Sequence, residues 1–544
     1  MRGMQADSAS VNKIAAPEGT LTAMLAAQPA DATAIVYEGE RWTFGALQEL
    51  SRKAAGGLAR LGIGPGDRVA IWLPNCVAYA ATMLGCAQLG AVAVAVNTRY
   101  RSVEVEDIVG RGRCKALVFW PGFKSIDFAG ILKAVDPKAL TTLETLVVYD
   151  EGGDAPGDVG IPGIATVRYE DVMSAPPLAD CHGTPDSPCN MFTTSGTTKK
   201  PKFVMHKQSV VVHHAREVVR GFGYGAPDAV MLQTVPMCGV FGFCQFLAGL
   251  AAGRPNVLMP VFDAEGAVDL IREHGVTHTV GGDDMADRMI AAADASGKPM
   301  STLRRFGYAR FNAALTDIVE RADAHGFTMC AVYGSSEVQA LFSVQRADAP
   351  AEQRKLGGGI PVSADAEIRA RDRETGRILP HGEPGELEMR APSLMIGYDG
   401  NPEATAEAMT EDGYFRTGDL GYTTEREGFV YLSRMGDVLR LGGFLVNPAE
   451  IEDHLVHHPA VDGAQVVGVE KHPGTVAVGF VMLKPGAETD EAALKAHCKA
   501  GLASFKQPVR VFIVDAFPVT QSANGTKIQR AKLREMAAER LAEA

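Results

Sequence analysis

Apolar and polar positions alternate along the chain with two periods. Leu47 to Leu61 places apolar residues at helical spacing and stops at Gly62-Ile-Gly-Pro-Gly66, a helix end followed by a turn. Asp67 to Leu73 then reads as a strand. Val77 to Val96 is almost uncharged and long enough to cross a bilayer. It is rich in Ala and Gly, carries Gln88 and follows Pro74-Asn75, which predicts a buried helix to about Leu89 and a strand from Ala91 to Val96. Further on, Val103–Arg111 predicts a helix, Ala116–Phe119 a strand, Ala264–His274 a helix and Thr277–Val280 a short strand. Strands separated by helices predict βαβ units and mostly parallel sheet.

The texture changes after about Gly357. Short strands bounded by turn residues follow at Ala366–Ala370, Glu386–Arg390 and Gly428–Leu432, which predicts a smaller antiparallel β unit. From Asp437 come a helix (Pro448–His457), strands (Val461–Val469, Val476–Leu483), a helix (Glu491–Leu502) and a basic tail. That pattern predicts a separate α+β domain of about 110 residues, a common domain size.

Composition narrows the class. The chain has 544 residues, 46% hydrophobic and 22% charged, which is globular rather than disordered. Its net charge of −12 argues against non-specific binding to nucleic acid or an anionic membrane, while leaving room for a small basic pocket. The nine cysteines form no C-x-x-C pair, and the spacing of Cys238 and Cys244 fits no zinc pattern. They read as buried reduced thiols, which suits the cytoplasm. The first residues lack the apolar core of a signal peptide, and no membrane span is expected.

The stretch richest in chemistry is Met191-Phe-Thr-Thr-Ser-Gly-Thr-Thr-Lys-Lys-Pro-Lys202. Hydroxyls and exposed backbone N–H groups can ring an anion, Gly196 lets the backbone approach it, and the lysines add charge. On composition alone a solvated Ser/Thr-rich loop is equally open. The run is not a G-x-x-x-x-G-K-[ST] loop.

This run resembles the signature of the adenylate-forming superfamily, which includes acyl-CoA synthetases, luciferases and peptide-synthetase adenylation domains. Further stretches resemble the family's motifs in its own order. They are Tyr333-Gly-Ser-Ser-Glu337, Gly385-Glu-Leu with Gly397-Tyr398, and Tyr414-Phe-Arg-Thr-Gly-Asp-Leu420. After these come Ser433-Arg-Met-Gly-Asp437 with Gly442-Gly443 and Glu450-Ile-Glu452, then Pro518-Val-Thr520 leading to Gly525-Thr-Lys-Ile-Gln-Arg530. The resemblance covers roughly residues 20 to 535. It implies an α/β plus α+β fold: a large N-terminal domain of βαβ subdomains with a small β unit, residues 1–435, and a small mobile C-terminal α+β domain, residues 436–544.

The implied activity is an ATP-dependent carboxylic acid–coenzyme A ligase. The acid would attack the α-phosphate and release pyrophosphate, and a thiol would then take the acyl group and release AMP. Such a transition state needs positioning and positive charge more than a nucleophilic side chain. The resemblance gives Thr194, Ser195, Gly196, Thr197, Thr198 and Lys202 to the phosphates. Ser336 would contact phosphate and Glu337 would hold Mg²⁺. Tyr333, Asp419 and Arg434 fall to the nucleotide, with Asp419 and Arg434 at the ribose. Lys527 would bridge the attacking carboxylate and the α-phosphate. Rotation about a hinge near Gly436 would then withdraw Lys527 and bring in Gly442-Gly443, a side-chain-free channel for the thiol arm. Partners would be a small-molecule carboxylic acid, ATP, and coenzyme A or a carrier protein; the sequence does not address oligomeric state.

The chain departs from the family pattern at several positions. Lys199 stands where the family usually has Gly, and Gly436 where it has Asp or Lys. Gly239 replaces a histidine or aromatic of the acyl pocket, and Val332 a glycine, which would narrow it. Gly307-Tyr-Ala-Arg-Phe311 stands at the adenine segment. Gly282-Asp-Asp284 replaces Val-Pro-Thr; the acidic pair either faces a polar acid or caps the next helix. Two rival readings remain open. One is a stand-alone adenylation enzyme that loads a carrier protein. The other is a non-catalytic nucleotide-binding homologue, which Glu337, Asp419, Arg434 and Lys527 argue against.

Overall fold

The computed structural model describes residues 18–542 apart from 125, 152–158, 195–200, 312–314, 438, 442–443, 472–473, 503 and 523–524. Two sheets carry the larger part of the chain. In the first, six parallel strands (Pro188–Thr193, Val92–Ala95, Arg68–Trp72, Ala116–Phe119, Thr145–Val148 and Ala165–Arg168) lie side by side in that order. The antiparallel strands Phe203–Lys207 and Gly397–Tyr398 extend its edge. The ambiguous apolar stretch is a helix, Val77–Leu89, with all thirteen residues buried. Gly90 ends it in the left-handed conformation (φ 76°) and the strand Val92–Ala95 follows. It is apolar on every side because protein covers every side. Among the described residues no helix is long and apolar enough to cross a membrane.

The second sheet has thirteen strands. One half is parallel and runs from Thr33–Tyr37 across to Thr328–Ser335. Thr328–Ser335 then pairs antiparallel with Gln339–Val344, and the sheet continues antiparallel to Glu367–Arg371. The short strands expected after Gly357 therefore form, and they extend the parallel strands in one sheet. The predicted helix at Val103–Arg111 is an α-turn, Ser102–Glu106, that widens into a π-helix, Asp107–Arg111. Widened turns of this kind are frequent near functional sites.

Arg434 ends the last strand of the large sheet. Among the described residues, the strands beyond it pair only with one another. Val461–Lys471, Gly474–Leu483 and Arg510–Ile513 make a three-stranded sheet, packed by the helices Pro448–Val456, Glu491–Gly501 and Arg530–Ala542. The basic tail is thus largely this last helix. The apolar clusters divide at the same place: those holding Leu439 to Leu541 contain no earlier residue. All nine cysteines are free thiols; eight are buried and Cys181 is half-buried.

Candidate active site

The Thr-rich loop is the tip of a hairpin between the strands Pro188–Thr193 and Phe203–Lys207. Its base is closed twice: the Thr194 N–H donates to the Lys202 carbonyl (3.0 Å), and the Lys202 N–H donates to Thr194 Oγ1 (3.2 Å). Ser195, Gly196, Thr197, Thr198 and Lys199 lie outside the described residues. Arg111, at the end of the π-helix, donates to the Pro201 carbonyl and stands 4.0 Å from the Phe203 ring centre. The helical pattern gave Arg111 no role, because its partners are distant in sequence.

A second hairpin faces the first. Tyr333-Gly-Ser-Ser-Glu337 turns between the strands Thr328–Ser335 and Gln339–Val344. A Cβ on Gly334 would fall 2.6 Å from Ala340 Cα, so glycine is required for the close approach. Gln339 and Leu341 are held at φ 69° and 60°, costly for residues with a Cβ. Neighbouring side chains grip this strained segment. His206 Nε2 donates to the Ser336 carbonyl and His214 Nε2 to the Ala340 carbonyl, both at 2.7 Å. A carbonyl only accepts, so these nitrogens carry the protons. Burial pushes both imidazoles down to about 4, so they are neutral at ordinary pH.

Glu337 and Lys202 meet at Tyr398. The Tyr398 hydroxyl donates to Glu337 Oε1 (2.9 Å), and Lys202 Nζ sits 4.4 Å from the centre of the Tyr398 ring. The end of the Thr-rich run and the end of the Tyr333–Glu337 run therefore meet at one aromatic.

Asp419 is 2% exposed. It lies opposite Arg434 on the neighbouring strand, and the Arg434 guanidinium stands 3.1 Å from Oδ1. That contact is an ion pair without hydrogen-bond alignment, so Oδ1 accepts no hydrogen bond and keeps its lone pairs free. Tyr333 donates its hydroxyl to Oδ2 at 2.5 Å. Burial raises the Asp419 carboxyl above the usual carboxylate range, while Arg434 and Tyr333 oppose that rise. Tyr333, Asp419 and Arg434 are thus one cluster, as their common assignment to the nucleotide requires.

The remaining positions spread out. Gly239 and Ser336 line one small cavity. Val332 packs beside Gly307 in the core and is not among the cavity's lining residues. Gly282 ends the strand His278–Gly282 against Phe311 and Asp284, and is not among the cavity's lining residues. Asp283 is buried and accepts the N–H groups of Asp284 (3.0 Å) and Phe311 (3.1 Å), which favours the helix-start reading of the acidic pair. Gly436 sits exposed in the turn after Arg434, and a Cβ there would meet nothing within 4 Å. That turn is tied to the last helix: Arg534 donates to the Gly436 carbonyl (2.8 Å) and pairs with Asp437. Lys527 pairs with Thr520 in the hairpin Val519–Ser522/Gly525–Ile528. Gly442 and Gly443 lie outside the described residues.

The family model described as AMP-binding enzyme matches residues 22–399, and that described as AMP-binding enzyme C-terminal domain matches residues 450–524. The chain belongs to the adenylate-forming superfamily of AMP-binding enzymes. It is 29% identical to the mitochondrial medium-chain acyl-CoA ligase ACSF2 of Macaca fascicularis, over 92% of this chain and 83% of that protein. It is 31% identical to a 3-[(3aS,4S,7aS)-7a-methyl-1,5-dioxo-octahydro-1H-inden-4-yl]propanoyl:CoA ligase of Rhodococcus jostii, over 92% and 95%. Among solved structures, ATP-bound MatB from Rhodopseudomonas palustris superposes with a TM-score of 0.81 at 26% identity, covering 95% of this chain and 98% of that one.

Two outcomes follow from the geometry of this family member. His206, His214 and His278 all titrate near 4 when folded and near 6.5 when unfolded. Below pH 6.5 the unfolded chain binds protons that the folded one excludes. Stability is therefore expected to fall from pH 6.5 to 4, by about 3 kcal/mol per histidine at most. Urea melts across that range check it, and a flat profile would contradict it. Tyr333→Phe removes a donor that favours ionised Asp419. The acid limb of ATP binding, followed by calorimetry, should move to higher pH; an unmoved limb would dissociate Tyr333 from Asp419.

Proposed function

We propose that the chain is an ATP-dependent carboxylic acid–coenzyme A ligase that forms an acyl-adenylate plus pyrophosphate, then an acyl-CoA thioester plus AMP. The observation that carries this reading is the placement of Glu337 and Lys202 at one aromatic ring, with Tyr333, on the strand leading into the Glu337 turn, donating to Asp419 on a separate strand of the same sheet. It brings a phosphate-loop base, a candidate metal carboxylate and a buried acceptor together from segments that are remote in sequence.

In this reading the hairpin base at Thr194 and Lys202 holds the β- and γ-phosphates, and Arg111 braces it through Pro201. Asp419 accepts a ribose hydroxyl on Oδ1, a buried atom that pairs with Arg434 by charge but accepts no hydrogen bond. Arg434 keeps that carboxylate ionised and itself faces the ribose. Glu337 offers a half-buried carboxylate beside phosphate-binding hydroxyls, which fits Mg²⁺, an ion that takes one or two carboxylates plus substrate phosphate oxygens. When bound, Mg²⁺ neutralises charge developing on the phosphates. Lys527 steers the acid's carboxylate onto the α-phosphate, and the segment after residue 435 turns as a unit about Gly436 to exchange Lys527 for Gly442-Gly443. The division of cores and sheets at Arg434 supports that boundary. The free cysteines support a cytoplasmic, reducing location.

The test supplies ATP and Mg²⁺ with butanoate, octanoate, benzoate or 4-hydroxycinnamate, with and without coenzyme A. Acid-dependent pyrophosphate release is expected, with AMP release accelerated by coenzyme A. No acid-dependent pyrophosphate from any of them would sink the enzyme reading; turnover that needs a carrier protein would redirect it. Lys527→Ala should lower adenylation by on the order of 100-fold or more, while thioester formation from preformed acyl-adenylate persists. Equal loss of both steps would contradict the rotation.

A further inference from the structure

Lys202 and Glu337 come from different hairpins, and one ring stands at both. The Tyr398 hydroxyl donates to Glu337 Oε1 at 2.9 Å, and Lys202 Nζ lies 4.4 Å from the ring centre. Both charged residues are half-buried, and among the described residues neither forms an ion pair. A lysine on its flexible stem, partly out of water and near a carboxylate, ordinarily pairs with it. Here the ring stands in the place of that partner.

The ring is seated too firmly to yield. Tyr398 is 6% exposed and packs with Val204 and Ala404. Its strand, Gly397–Tyr398, pairs with Phe203–Lys207, the strand that follows Lys202. The Met395 N–H donates to the Glu337 carbonyl, the Ile396 N–H to the Met205 carbonyl and the Asp399 N–H to the Phe203 carbonyl, each at 2.8 Å. The Tyr398 N–H donates to Thr405 Oγ1 (2.9 Å). Arg68 (2.9 Å) and Arg113 (3.1 Å) grip the Asp399 carboxylate. Residues 395–399 are thus fastened both to the strand after Lys202 and to the turn that carries Glu337.

The two contacts at the ring leave both charges in place. A π face attracts an ammonium without neutralising it. A phenol donates one proton to one carboxylate oxygen, which orients the carboxylate and leaves it ionised. A direct pair would instead satisfy each charge with the other, and an incoming phosphate or cation would have to break it.

We propose that Tyr398 is a positioning residue that keeps Lys202 and Glu337 from pairing with each other, so that the lysine stays available to phosphate and the carboxylate to a divalent cation. This rests on the ligase reading above.

The test uses binding rather than turnover. Its ligand is an ATP analogue with a methylene between the α- and β-phosphorus atoms, which cannot release pyrophosphate. Calorimetry in metal-free buffer reads analogue affinity. Electron paramagnetic resonance of Mn²⁺ reads the metal affinity of the protein–analogue complex. Tyr398→Phe keeps the ring and loses the hydroxyl. Mn²⁺ affinity should fall roughly 10-fold, with metal-free analogue affinity unchanged within about twofold. Tyr398→Leu removes the ring, so Lys202 pairs with Glu337 and metal-free analogue affinity should fall about 5-fold, the weight of one ion pair. Adding Glu337→Gln to Tyr398→Leu frees the lysine and should restore that affinity.

The restoration separates positioning from mere packing, because loss of packing is not repaired by removing a charge. Should Tyr398→Leu fail to fold, Tyr398→Phe decides alone. Unchanged Mn²⁺ affinity in Tyr398→Phe overturns the proposal, as does a Tyr398→Leu protein that binds the analogue normally or that Glu337→Gln does not rescue. In each of these cases the ligase reading stands. An unaltered protein that does not bind the analogue, with or without Mn²⁺, brings down the ligase reading itself.

Discussion

The buried carboxylate of Asp419 is the constraint around which the site is built. A charged group at 2% exposure is expensive to keep, and its surroundings must compensate. Arg434 supplies opposite charge from the adjacent strand, and Tyr333 supplies a hydroxyl from farther across the same sheet. Satisfying this one group ties the turn that carries Ser336 and Glu337 to the strand that ends the large sheet. It also leaves a single lone-pair face of Asp419 unused. A buried carboxylate oxygen that accepts no hydrogen bond makes sense where a ligand completes it.

The second organising element is the strained turn. Gln339 and Leu341 occupy left-handed backbone, which a free hairpin would relax. Here the turn is overdetermined by His206 and His214, two neutral imidazoles that donate into it from below, and by Gly334, where no other residue fits. The strand that follows the Thr-rich loop carries His206, so the two hairpins are locked to each other by the same bond. Past Arg434 the arrangement is different. The core and sheet are separate, and Arg530 and Arg534 fasten the connecting turn to the last helix. Rigidity thus sits within each unit, which suits a large body and a small segment that move relative to each other.

Much of the fold was legible along the chain. Ala116–Phe119 and Ala264–His274 match residue for residue, and Gly90 ends the apolar helix where its pattern breaks. These elements depend on local periodicity and capping, which a sequence displays. The joining of the short antiparallel strands to the parallel half in one sheet was not legible, because pairing between Gln339–Val344 and Gly358–Pro361 leaves no local mark. The π-turn at Asp107–Arg111 was hidden for a related reason: a helical pattern does not distinguish an α-turn from a wider one.

The site divides along the same line. The resemblance to the motifs of adenylate-forming enzymes marked Thr194, Lys202, Ser336, Glu337, Asp419 and Arg434 as candidates. What the spacing could not contain is who holds those groups. Tyr398 between Lys202 and Glu337, the imidazoles of His206 and His214, and Arg111 at Pro201 all act across long stretches of chain. Likewise Val332 and Gly282 adjoin the motifs in sequence, yet Val332 packs beside Gly307 and Gly282 lies against Phe311. The sequence by itself determined which chemical groups are present and in which local elements. Only the tertiary structure decided which of them meet, because burial and hydrogen bonding across strands depend on contacts that no local pattern encodes.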